Sequence, residues 1–487
     1  MFSQKTKTFN DIVKPVPGLE KPLPQRNLSL DALRGFAILT MVLSGAIAFG
    51  GVLPAWMYHA QVPPPLHKFD PSVPGITWVD LVFPFFLFSM GAAIPLSLRK
   101  LDQEGSGFWQ VLWIAGRRFF LLTFFAFFTY HMRAWVIAET PSAVTYALSI
   151  AAFGLLCFQF METGKKGFGS GLTWLKLFAF AAAVALLYFL PFNKGEGFRF
   201  DKVDIILLVL GNMAFFGTVC WWLTRKRPVL RMGLLAFVMA VFLGGKVPGT
   251  WNEAVFNWSP IPWMYKFYYL KYLFIILPGT LAGEWLQEAS KPVEGKQNDT
   301  GKIPLVGLLS FGLVVCNVAL LFSRMLVLNL AISIAALSAT IYFLLKSGSS
   351  RRHLLKKFWQ AGSFLLLLGL FFEGYEGGIK KDPSTYSYYF VTSGLAFFML
   401  SGLTCLSQTE WGTGINTYLS LNGRNPMVAY VAGSLLLTPV LHLTGAITLF
   451  NSMNGNAWSG FFKGLLFTAI VSAITVFFTK RKWFWKT

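Results

Sequence analysis

Unbroken apolar stretches recur along almost all of this chain, and nothing else about it restricts the fold so strongly. They lie near 30–50, 78–98, 108–130, 142–160, 173–191, 203–224 and 229–245 in the first half. Seven more follow near 266–287, 303–323, 326–345, 357–373, 387–407, 425–444 and 460–479. Each approaches the roughly 20 residues that a helix needs to cross a bilayer. The short 229–245 stretch and the tight pair around Arg324 could pack without spanning. The expectation is therefore an all-α polytopic membrane bundle of about 11–14 transmembrane helices. An outer-membrane barrel would show segments of about ten residues with alternating polarity instead.

Composition agrees. Only 13% of the 487 residues are charged and 55% are apolar, with a mean hydropathy of +0.56. A soluble domain needs about 25% charged residues, so a water-soluble enzyme is excluded. The net charge of +21 would raise the question of nucleic acid in a soluble protein. In a polytopic one it reads as cationic loops held on the cytoplasmic side. With the N-terminus inside, the expected spans send Arg99 and Lys100, Lys165 and Lys166, and Arg225 to Arg227 to that side. Lys291, Lys296 and Lys302, then Lys346, Arg351, Arg352, Lys356 and Lys357, then Lys480 to Lys482 follow the same alternation. Both termini are expected to be cytoplasmic, which leaves the loop 51–76 on the outer side.

Residues 1–27 carry Lys5, Lys7, Lys14, Lys21 and Arg26 and no apolar stretch before a small-residue cleavage site, so no cleavable signal peptide is expected. They form a polar segment ahead of a single membrane domain over 28–487. No internal repeat or soluble domain interrupts that domain. Cys157, Cys220, Cys316 and Cys405 lie within apolar runs without metal-ligand spacing, and no metal is expected.

Charges at membrane depth cost several kcal/mol, so each needs a partner, a wet cavity or a task. Asp31 and Arg34 sit three apart at the start of the first span, where they can pair or where Arg34 can face an anion. Arg117 and Arg118 pose the same question in the third span. The segment Asn422 to Tyr430 opens a late span with Arg424, Asn425 and Pro426, either as a helix cap or as a polar lining. Pro278, Gly279 and Glu284 suggest a kinked or widened eighth span. The loop 51–76 holds His59 and His67, two of the five histidines, in a proline-rich frame, and Asp80 opens the next span at the same face. A carboxylate beside an imidazole is general-base machinery, whereas an aspartate at a helix start is also favoured by the macrodipole and a loop histidine can be plain surface.

The runs SLDALRGFAILTMVL and GITWVDLVFPFFLFSMG, with a loop histidine between them, resemble the transmembrane acyltransferases related to heparan-α-glucosaminide N-acetyltransferase and its bacterial homologues. Asp31, Arg34 and Gly35 match the first-helix motif, and Thr77, Asp80, Leu81, Phe83 and Pro84 the second. Gly423 to Tyr430 is similar to a late Gly-x-Asn…Tyr element, and Lys381 to Phe390, with Ser387, to a lysine-then-Ser-Tyr stretch. The resemblance implies transfer of an acetyl group from cytosolic acetyl-CoA to an amino sugar or other carbohydrate across the membrane, with a loop histidine central to the chemistry. His59-Ala60 after an aromatic stretch fits that histidine better than His67, with the proline-rich segment as an insertion before Asp80. Where the family carries an asparagine after the first-helix Met-Val, this chain has Ser44 and Gly45.

The implied site has His59 and Asp80, with His67 as the other candidate, in catalysis, and Asp31, Arg34, Arg118, Arg424 and Asn425 around acetyl-CoA as co-substrate. The implied setting is a bacterial inner membrane, with the lipid bilayer and a carbohydrate or glycolipid acceptor as partners and a homodimer as a possible assembly. The competing class is a secondary transporter or flippase for a sugar or other polar solute, which would use the same charges without the histidines.

Overall fold

The structure, a computed structural model, describes residues 27–163, 170–290, 303–345 and 350–486. The N-terminal segment 1–26 and the cations Lys165, Lys166, Lys291, Lys296, Lys302 and Lys346 lie outside the described residues. The apolar stretches all become helix: α1 (Leu28–Ala46), α2 (Trp78–Gln103), α3 (Phe108–His131), α4 (Ala143–Phe160), α5 (Ser170–Phe189), α6 (Ile205–Thr224) and α7 (Pro228–Gly244). The second half holds α8 (Leu273–Ala289), α9 (Ile303–Phe322), α10 (Leu326–Leu345), α11 (Ser350–Glu376), α12 (Tyr386–Leu406), α13 (Glu410–Gly423), α14 (Pro426–Leu443) and α15 (Ala457–Lys480). Among the described residues, ten helices are long and apolar enough to cross a membrane and three shorter apolar helices accompany them. The protein is a polytopic all-α integral membrane protein.

The helix starts follow local chemistry. Asn27 accepts from Leu30 N at 2.9 Å to cap α1, and Thr409 accepts from Gly412 N at 3.0 Å to cap α13. The stretch expected from 266 begins as a 3₁₀ turn, Phe267–Tyr272, and continues as α8 with Pro278 inside it. Glu284 of α8 is not a loose charge: it accepts from Trp221 Nε1 and from buried Arg231, each at 2.7 Å.

α12 is buried along nearly its whole length, wrapped by α9 and α11 and touched by α2 and α8. The tightest crossings are made by glycine. A Cβ on Gly35 of α1 would stand 1.8 Å from Leu419 O, and one on Gly423 of α13 1.9 Å from Asp31 O. Backbones can approach this closely only where both side chains are absent. The crossing joins the two ends of the chain and locks the Asp31–Arg34 turn against the junction of α13 and α14. A small antiparallel pair, Met161–Thr163 with Trp483–Trp485, is the one non-helical element among the described residues.

The loop between α1 and α2 is packed, not loose. Ile47, Ala48, Leu53, Met57 and Tyr58 form a small buried cluster with the start of α15. Thr77 Oγ1 donates to Tyr58 O at 2.6 Å, and Gly75 N donates to Ile379 O at 2.7 Å, which ties this loop to the one between α11 and α12.

Candidate active site

His59 and Asp80 meet at the loop end of the bundle. Asp80 is in the first turn of α2 and its side chain is 2% exposed. Its Oδ2 accepts from Thr77 N at 3.0 Å and Ala60 N at 3.2 Å, and Thr77 Oγ1 lies 3.2 Å from it. Its Oδ1 accepts from His59 Nδ1 at 2.7 Å. One carboxylate thus serves both roles that the sequence left open: it caps the helix, and it orients an imidazole. With Nδ1–H held by the carboxylate, the lone pair of His59 is on Nε2, on a side chain still 39% exposed. The buried Tyr388 hydroxyl donates to the Asp80 carbonyl at 2.8 Å and fixes this turn against α12.

A third group completes the cluster. Lys381 Nζ lies 3.1 Å from His59 Nδ1, 3.4 Å from Nε2 and 3.8 Å from Asp80 Oδ1. Burial pushes the Lys381 ammonium below its ordinary range, and the charges of Asp80 and Asp382 oppose that shift. Gln61 holds the same loop through its amide, accepting from Asp382 N at 2.8 Å and donating to Asp382 O. In the sequence Lys381 stands out only as part of the lysine-then-Ser-Tyr stretch. The 322 residues that separate it from His59 left no local signal of the contact.

His67 is placed differently. It adopts a positive φ of 49°, its Nε2 accepts from Gly50 N at 3.0 Å, and its ring packs edge-on against Phe49 and Tyr58. Its free lone pair is spent on the backbone, and it does not join the His59 cluster.

Two cavities flank the cluster. Thr77, which binds Asp80, lines an apolar one of about 500 Å³ with Trp56, Trp78, Phe36 and Val318. Lys380 and Pro383, on either side of Lys381 and Asp382, line a larger one of about 990 Å³ with Lys246, Lys271, Tyr268 and Tyr375.

The residues expected around the co-substrate divide. Arg34 reaches Asp31 Oδ1 at 3.2 Å, Ser89 O at 3.3 Å and Gly423 O at 3.4 Å, and Arg424 Nε lies 3.7 Å from Asp31 Oδ2. Asp31, Arg34 and Arg424 therefore form one group, placed where the polypeptide breaks between α13 and α14. Asn425 is next to it in sequence, but its amide is turned away: Nδ2 donates to Trp483 O at 2.7 Å and Oδ1 accepts from Trp485 N at 3.0 Å. It anchors the C-terminal strand. Arg118 is half-buried in α3 with no hydrogen bond or ion pair among the described residues, and it stands outside the Arg34 group. Tyr430, from the same late motif, donates to Asp204 at 2.9 Å, and Asp204 also pairs with Arg133. No group of three or more metal-ligating side chains occurs among the described residues.

The molecule is thus an integral membrane helix bundle that seats a loop histidine on a buried carboxylate. The chain belongs to the family described as "Domain of unknown function (DUF5009)", which it matches over residues 26–286. That stretch includes His59, Asp80, Asp31 and Arg34, and stops short of Lys381 and Arg424. The chain is also 33% identical over 118 residues to human heparan-alpha-glucosaminide N-acetyltransferase. The match covers 24% of this chain and 16% of that relative, which supports a distant, acetyltransferase-like relationship.

Proposed function

We propose that the protein is a membrane acetyltransferase that moves an acetyl group from acetyl-CoA to an amino sugar or other carbohydrate acceptor at the His59 end of the bundle. The observation that carries this reading is the 2.7 Å bond from His59 Nδ1 to a carboxylate held by two backbone amides. In the proposed step the acceptor amine or hydroxyl attacks the thioester carbonyl and its proton passes to His59 Nε2. The carbon–sulfur bond then breaks, and the leaving thiolate takes the proton back from the imidazolium. Asp80 stabilises the charged ring, and the Lys381 cation beside it favours the negative charge that develops on the carbonyl oxygen.

The Asp31–Arg34–Arg424 group suits the phosphates of CoA, because a guanidinium matches phosphate oxygens. Arg34 is twelve residues from the loop end of α1, or about 18 Å of helix, so the donor must extend through the bundle to reach His59. In this reading the Arg34 end faces the cytosol and the acceptor is on the other side, in accord with the alternation of the cations.

One observation favours a second reading, transport of a polar solute: a helix interrupted at Arg424 and Asn425, beside Asp31 and Arg34, is also how transporters build midplane sites. The deciding experiment follows acetyl transfer from labelled acetyl-CoA to glucosamine by the purified full chain in lipid. His59→Ala and Asp80→Asn are expected to abolish transfer and His67→Ala to retain it. Failure of the wild type to bind or consume acetyl-CoA with any acceptor would leave transport as the better account.

A further inference from the structure

The cavity of about 990 Å³ beside the His59 cluster has a wall chemistry that the proposed reaction does not use. Three lysines, Lys246, Lys271 and Lys380, line it against one acid, Glu376. Glu376 is already engaged, its two oxygens accepting from Tyr386 N and Ser387 N at 2.8 Å each at the start of α12. Lys271 is half-buried, and no carboxylate lies within ion-pair distance of it among the described residues. Its ammonium donates to the Ser384 carbonyl at 2.9 Å and faces the rings of Phe242, Tyr268 and Tyr386 at 4.9, 5.1 and 5.8 Å. Glu376 and Asp382 act on it only from beyond ion-pair distance, and a cation drawn in among aromatic rings without a contacting carboxylate is set to receive an anion.

Most of the remaining lining is apolar. Phe371 and Tyr375, 69% and 81% exposed, project from the last turns of the spanning helix α11. Aromatic side chains at the end of a spanning helix belong at the headgroup level, so this cavity opens sideways to the bilayer and not only to water. Basic pockets between membrane helices are suited to anionic headgroups.

We infer that this cavity binds an anionic amphiphile, its phosphate-class headgroup among Lys246, Lys271 and Lys380 and its apolar chain along Phe371 and Tyr375. The inference rests on the acetyltransferase reading for its consequence: the acceptor sugar is carried by such a lipid, and the loop 380–385, which walls the cavity and places Lys381 on His59, brings that sugar to the imidazole. Binding itself does not depend on that reading.

The test is therefore a binding measurement without acetyl-CoA. Native mass spectrometry of the full chain, released from a neutral detergent, compares phosphatidic acid with diacylglycerol and with glycerol phosphate. Phosphatidic acid is expected to bind at least tenfold more tightly than either, because only it carries both charge and chain. Lys246→Gln and Lys271→Gln should each weaken it about tenfold, Lys246→Arg should restore binding at that position, and Lys202→Gln, a loop cation that does not line the cavity, should not change it. Equal binding of diacylglycerol would overturn the role of the lysines, and equal binding of glycerol phosphate would overturn the lipid. Since Lys246 is exposed, its variants keep the test alive if Lys271→Gln does not fold. Binding without acetyl transfer would retain the lipid site and reject the acetyltransferase; transfer to free glucosamine without lipid binding would do the reverse.

Discussion

The two charged regions of this molecule are built in opposite ways. At the Arg34 end the cluster comes from a turn of α1 pressed on the α13–α14 break, with Asp31, Arg34 and Arg424 held by a crossing that only glycine permits. At the His59 end the groups come from two loops and a helix start, and the imidazole remains partly open to its surroundings. The first region is a clamp set by close backbone contact. The second is an imidazole oriented by a buried carboxylate. On the proposed reading the first holds the phosphates of the donor and the second exchanges protons with the acceptor, which is why their construction differs.

The sharpest way to break the comparison is at Asp80. Asp80→Ala should cut acetyl transfer by about 10²–10⁴, the usual worth of an oriented general base. It should also cost about 3 kcal/mol in stability, because the amides of Thr77 and Ala60 lose their acceptor. Transfer assays and thermal unfolding in detergent read the two effects separately; a full-rate variant would remove His59 from the chemistry. Next in size is Gly423→Val, where a side chain has no room against Asp31 O. About 1–3 kcal/mol of destabilisation is expected, with the Arg34 cluster disordered and the His59 bond intact. Unchanged stability would show that α1 and α13 do not cross as described.

Arg424→Gln should sharpen the division of labour by raising the KM for acetyl-CoA about tenfold, or about 1.4 kcal/mol, with little change in kcat. An effect on kcat alone would move Arg424 to the chemistry. The smallest effect is a slope. Burial holds the Lys381 pKa in the folded protein below its ordinary value of 10.5, so the folded state binds fewer protons there than the unfolded chain. The stability of the wild type relative to Lys381→Met should accordingly rise with pH through that window and level off above 10.5. A difference that falls with rising pH would mean that Asp80 outweighs the burial.

Much of the bundle was legible because hydropathy is a local quantity: every expected apolar stretch is helical, and ten of the described helices are long and apolar enough to cross a membrane. α13 escaped because Glu410–Gly423 mixes glycine, threonine and asparagine with its apolar residues. It is helical through its packing on α1. His59 and Asp80 were visible as residue types in a stiff loop and at a helix start, but the bond between them was not. Asn425 looked like a binding group because an amide beside an arginine at a helix start suits either role; its two bonds to the C-terminal strand depend on residues at the far end of the chain.

The sequence by itself determined that this protein lives in a bilayer, roughly how many times the chain can cross it, and which few polar side chains would have to be accounted for. That follows because the cost of placing a residue in hydrocarbon is nearly additive along the chain. Only the tertiary structure decided which of those side chains meet. Lys381 is on His59, Arg424 is on Asp31, and His67 is on the backbone, because close packing of helices far apart in sequence brings those contacts together, and no local pattern of residues encodes the distance between them.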